Sequence, residues 1–193
     1  MRKSLLLLLL CSACGLAASA CSRREPSEDC VEPTRVVDPV LLAFLSKARS
    51  AHHLADQHEA KGDRASALRA LEALTAQPAP PGGLPEVDEV LADTRARVAD
   101  LLSQAGRFDQ ADAEVTQGLT HAKAASYFRG HLFEVRGLLE ERREKALRSI
   151  GHGQEADKAH ERSLNAYEAA MKIQAEVIGS ALAPPSATGG SRP

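Results

Sequence analysis

The sequence predicts an all-α domain of about six helices, folded as antiparallel hairpins stacked into a short solenoid. Three observations predict it. Alanine and leucine dominate, tryptophan is missing, aromatic residues make up 3% of the chain and β-branched residues are sparse. That composition favours helices over sheets. Apolar residues recur every three or four positions through six successive segments. Glycines interrupt those segments, and two interruptions, KGDRASALRALEAL and AGRFDQADAEVTQGL, share one pattern.

Each helix has its own signals. Asp38-Pro39 opens the first, with an acid at the N-cap and proline where a missing N–H costs nothing. It runs to about Ala60 and places Leu41, Leu45, Ala48, Ala51, Leu54 and Ala55 on one stripe. Gly62-Asp63 ends it and caps the second, about 64–76, which buries Ala67, Leu68, Leu71 and Leu74. QPAPPGGLP is a loop, because clustered proline and glycine exclude a helix. Pro85 opens the third helix, which reaches about Ala105 with Val87, Val90, Leu91, Val98, Leu101 and Leu102. Gly106 breaks the chain before the fourth, about 108–122, which presents Phe108, Ala111, Val115 and Leu119. The fifth, about 125–150, carries Phe128, Leu132, Val135, Leu139 and Ile150. Gly151 and Gly153 bracket the last turn. The sixth, about 154–182, carries Ala159, Leu164, Tyr167, Met171, Ile178 and Leu182.

The two similar turns align in detail. Alanine stands five residues after the glycine in each (Gly62 and Ala67; Gly106 and Ala111), and Leu71 or Val115 follows four further on. An apolar–small pair precedes each glycine: Leu54-Ala55 and Val98-Ala99. These residues resemble the tetratricopeptide repeat, specifically over 92–125 and less closely over 48–80. Phe108 stands where that family usually has an aromatic. The glycines lie 44 residues apart, against a usual repeat of ~34. The proline-rich loop and a long third helix absorb the excess. The third hairpin departs further: measured from Gly153, Ala159 misses the five-residue offset, and Arg136 and Gly137 disturb the apolar–small pair. An antiparallel bundle with glycine turns is the alternative arrangement.

The resemblance implies a concave groove, lined by the first helix of each hairpin, that binds peptides or partner helices. On matching positions the groove carries Arg49, His52, Asp56 and Glu59 from hairpin one. Asp93, Ala96, Asp100, Ser103 and Gln104 come from hairpin two. This face is mostly acidic, so a basic or polar extended segment is the expected guest.

Residues 1–20 read as an export signal: Arg2 and Lys3, an apolar run from Leu5, then the small residues Ala18-Ser19-Ala20. Cys21 follows directly. The junction resembles the lipobox of bacterial lipoproteins, with Ala18 where that family prefers leucine. The resemblance implies a lipid anchor on Cys21, and Ser22 after it implies the outer membrane, facing the periplasm. Ala18-Ser19-Ala20 also fits ordinary cleavage, which would leave a soluble periplasmic protein. Residues 21–37 read as a flexible tether, 38–182 as the helical domain and 183–193 as a disordered tail. Loss of the signal removes two basic residues and no acid, taking the net charge from −2 to −4. A mildly acidic chain argues against nucleic acid.

Catalytic motifs find no match: there is no G-x-S-x-G, H-E-x-x-H or phosphate-binding glycine loop. His58-Glu59 is a near miss, with Gly62 where a second zinc histidine would stand. His52, Asp56 and Glu59 share a helical face and are a conceivable divalent-cation site. The alternative to a scaffold is therefore a small metal-binding or hydrolytic protein centred on His52, and a purely structural bundle is a third reading. The expected function is an envelope lipoprotein that serves as a protein-interaction scaffold or assembly factor, without enzymatic activity, metal or cofactor.

Overall fold

A computed structural model describes residues 38–183. The export signal, Cys21, the tether and the tail beyond 183 lie outside the described residues. Six helices follow in order: α1 Pro39–Ala60, α2 Arg64–Thr75, α3 Pro85–Gln104, α4 Phe108–His121, α5 Tyr127–Ser149 and α6 Gly153–Leu182. Asp38 caps α1 by accepting from the Val40 amide at 2.8 Å. Asp63 caps α2 by accepting from the Ser66 amide at 3.0 Å. Ser126 caps α5, accepting from the Arg129 amide at 3.2 Å. Each satisfies a donor that the helix itself leaves free.

The helices pair as hairpins α1–α2, α3–α4 and α5–α6. Helix α3 also packs on α1 and α2, and α5 packs on α3 and α4. Among the described residues the backbones of α2 and α4, of α4 and α6, and of α1 and α5 do not approach one another closely. Each hairpin therefore meets only its sequence neighbours, which is the arrangement of a stacked array and not of a closed bundle.

One turn is used three times. Gly62, Gly106 and Gly151 have φ of 75°, 74° and 81°. Each sits at the C′ position of a Schellman motif. The residue after the glycine donates to a carbonyl five positions back: Asp63 to His58 at 2.9 Å, Arg107 to Leu102 at 2.9 Å, His152 to Leu147 at 3.0 Å. Only glycine takes this left-handed conformation without a Cβ penalty. The turn glycine of hairpin three is thus Gly151, not Gly153, which begins α6. Counted from Gly151, Ala156 keeps the five-residue offset, and Ala67, Ala111 and Ala156 are all fully buried. This register restores the alanine offset of the third hairpin, but the apolar–small pair is still replaced by Arg143 and Glu144, and His160 stands where the other hairpins have Leu71 and Val115.

Small residues set the packing distance. A Cβ on Gly118 of α4 would come within 2.6 Å of Leu132 on α5, and one on Gly137 within 2.6 Å of the Tyr167 ring on α6. Burial and the neighbouring Glu141 carboxylate push the Tyr167 phenol up to about 12. The buried stripe of α6 is Ala156, Ala159, Ser163, Ala166 and Ala170. Leu164, Met171, Ile178 and Leu182, expected from their period to face the core, are exposed instead, as is Leu54 of α1. The long α5–α6 contact buries this stripe of small residues, while Gly137 leaves room for the Tyr167 ring and Gly130 for Gln174 and Ile173.

Candidate functional site

The groove positions of hairpins one and two do lie on neighbouring helices, α1 and α3, but most of their polar groups bind each other or an arginine. Arg97 of α3 donates from Nη2 to Asp56 and to Glu59 of α1, each at 2.5 Å. Arg142 of α5 donates to Asp100 at 2.6 Å and to the Ser103 hydroxyl at 2.5 Å. The arrangement repeats in register. Arg97 and Arg142 each stand nine residues before a turn glycine. Asp56 and Asp100 stand six before theirs, and Glu59 and Ser103 three before. An arginine of each later hairpin thus grips two positions of the hairpin before it. These pairs are partly exposed, so each contributes at most ~1 kcal/mol, and their main effect is to fix the stacking register. Gln104 is tied to Asp100 of its own helix at 2.7 Å. The acidic surface expected from the sequence is therefore largely neutralised from within.

His52 is placed by a buried threonine. Its Nε2 lies 2.9 Å from Thr94 Oγ1. Thr94 Oγ1 in turn donates its only proton to the Val90 carbonyl at 2.7 Å. The hydroxyl can then only accept from the imidazole, so Nε2 carries the ring proton. The conceivable cation site does not assemble: His52 turns to Thr94, while Asp56 and Glu59 turn to Arg97. Among the described residues no group of three potential ligands is placed to hold a metal ion.

Burial holds the His52 ring below its usual 6.5, opposed by Asp93, reinforced by Arg97 and opposed again by Asp56. The folded state thus binds fewer protons than the unfolded chain just below pH 6.5, so stability falls as pH drops through that window. Most carboxylates titrate lower, near 4. Wild-type protein should therefore lose melting temperature between pH 7 and 5.5 relative to His52→Gln, which keeps an N–H for Thr94. Parallel pH profiles for the two proteins would contradict the buried, neutral imidazole.

What stays open on this face is a hollow of about 250 Å³ between α1, α3 and the start of α5. Leu45, Ala48, Val90 and Phe128 make its apolar walls, and Arg49, His52 and Asp93 its polar edge. Arg49 and Asp93 form no ion pair among the described residues. A side chain entering the hollow would find apolar contact below and unspent charges of both signs at the rim.

A larger cleft of about 720 Å³ opens where α4 and α6 stand apart, with α5 as its floor. Its charges are consumed in pairs. Arg136 binds Asp112 at 3.0 Å, Arg143 binds Asp109 at 2.9 Å, and Arg162 binds the buried Glu140 at 2.7 Å. The Arg143 guanidinium also lies 5.4 Å from the centre of the Phe108 ring. These contacts staple α4 to α5 and α5 to α6. Sequence reasoning missed them, because each joins residues more than twenty positions apart along the chain. No protein-family model matches the chain, and neither a curated protein nor a solved structure is detectably similar to it.

Proposed function

We propose that the protein is a tetratricopeptide-like interaction scaffold of the cell envelope, held by lipid on Cys21 at the periplasmic face of the outer membrane. It binds an extended segment of another envelope protein and is not an enzyme. The observation that supports the reading is the hollow between α1, α3 and α5, where Arg49 and Asp93, which form no ion pair among the described residues, flank apolar walls. A peptide with one apolar side chain to seat there, and polar groups beside it, matches that surface better than a strongly basic segment. Arg97 and Arg142 already occupy the acids that would have attracted such a segment. The cleft over α5 is the weaker site, since its charges are internally satisfied.

One crosslinking experiment tests site and address together. Envelope partners are captured with wild type, with Arg49→Glu/Asp93→Lys and with Asn165→Lys in the cleft. Arg49 and Asn165 are exposed and Asp93 is half-buried, so all three should stay folded, with stabilities within about 1 kcal/mol of one another. The groove variant should lose partner recovery severalfold and the cleft variant should keep it. Cys21→Ser should move the protein from the membrane to the soluble fraction. Undiminished recovery by the groove variant would end the groove reading, and a soluble wild type would end the anchor reading.

A further inference from the structure

We propose that the exposed flank of α6 pairs antiparallel with α6 of a second copy, making a two-fold dimer that joins the C-terminal ends of two arrays. This inference is independent of the groove. Leu164, Met171 and Ile178 recur every seven residues and are 50%, 68% and 59% exposed, and Leu182 continues the line at 78%. Helical spacing puts this stripe on the flank opposite Arg162, whose guanidinium reaches back to Glu140 on the cleft side. The stripe therefore looks away from hairpin two, on the end where a following hairpin would stack. Together these side chains expose on the order of 500 Å², at the upper end of apolar patches on ordinary monomers.

The arginine register says which occupant fits. A further hairpin, or the first hairpin of another copy stacked head to tail, would need an arginine facing two acceptors. Hairpin three offers Lys145 and Arg148 at the positions of Asp56 and Glu59, and hairpin one offers His53 at the position of Arg97. Head-to-tail stacking would set an imidazole against two cations, Arg148 already bound to Glu144 and Asp157, and would lack the arginine-to-acceptor pairs of the other two junctions. An isologous contact avoids this, and unlike a head-to-tail contact it closes at two copies.

The stripe is self-complementary when reversed. With the two-fold axis beside Met171, Leu164 of one copy lies over Ile178 of the other, and Met171 meets Met171. Glu168 and Lys172 sit on the solvent flank of the stripe, and neither forms an ion pair among the described residues. In the reversed pair, Glu168 of each copy comes within about two residue rises of the other's Lys172, along a helix that rises ~1.5 Å per residue. Two symmetric ion pairs then border the apolar seam. The patch is smaller than the ~800 Å² per partner of a standard interface, so the dimer is a weak, concentration-dependent one.

The test uses the full chain in its native membrane, with Cys30→Ser to remove a competing thiol. Met171→Cys should oxidise to a species of twice the mass, whereas Glu176→Cys, farther round α6, should not. Leu164→Glu/Ile178→Glu added to Met171→Cys should abolish that species with helicity retained. Glu168→Lys should reduce it severalfold, and Glu168→Lys/Lys172→Glu should restore it. Equal crosslinking through residues 171 and 176, or no dimer through residue 171, would overturn the proposal. So would capture of a different protein at residue 171, or a charge swap that fails to restore the dimer.

Discussion

Leu132→Ala is expected to lower the unfolding free energy by ~2–5 kcal/mol, the range for a buried leucine whose site cannot collapse. Leu132 is fully buried, and its δ-carbons lie over Gly118 of α4. That glycine has no side chain that could move into the vacated space. Leu132 also belongs to the apolar cluster that runs from Ala55 through α3 and α4 to Leu139, so the cavity opens at the junction of hairpins two and three. In an array with only nearest-neighbour contacts, no other surface compensates for a weakened junction. Chemical denaturation measures the loss. Leu138→Ala on the same helix, where the side chain is 38% exposed, should cost under ~1 kcal/mol. Equal losses for the two variants would mean that α5 does not pack on α4 as described.

Ala111→Leu is expected to cost ~1–3 kcal/mol by overpacking. Ala111 is fully buried five residues after Gly106, where α3 and α4 meet just beyond their turn. The turn hydrogen bonds from Gly106 to Ser103 and from Arg107 to Leu102 fix the crossing point of the two helices. Three added heavy atoms would have to push the helices apart against those bonds. Gln110→Leu is exposed and should change stability by about half a kcal/mol. Ala67→Leu and Ala156→Leu should repeat the Ala111→Leu effect, because the same turn precedes each. A melting temperature for Ala156→Leu equal to that of Gln110→Leu would remove hairpin three from the repeat.

Features that depend on local chemistry were legible in the chain alone. Helix starts at Asp38 and Asp63 follow from side-chain capping, and the breaks at Gly62 and Gly106 from a backbone conformation that glycine takes freely. The periodic apolar residues then separate six helices within a few residues of their observed ends. The groove face was legible only as the polar side of amphipathic helices. Its actual chemistry was not, because Arg97 finds Asp56 and Glu59 across 41 and 38 residues of chain, and an arginine on an isolated helix looks like a solvated one. The choice of Gly151 over Gly153 was already in the repeat pattern, since only Gly151 has an alanine five residues on (Ala156, against Lys158 after Gly153), and the left-handed φ of Gly151 marks it as the turn residue. Tertiary structure decided the role of α6. Its heptad of large side chains is the stronger apolar signal, yet the alanine stripe is buried against α5, and the larger Tyr167 and Gln174 enter the contact where Gly137 and Gly130 make room. Apolar period measures how far a face avoids water. Which apolar face reaches the core is set by the distance at which two helices can meet.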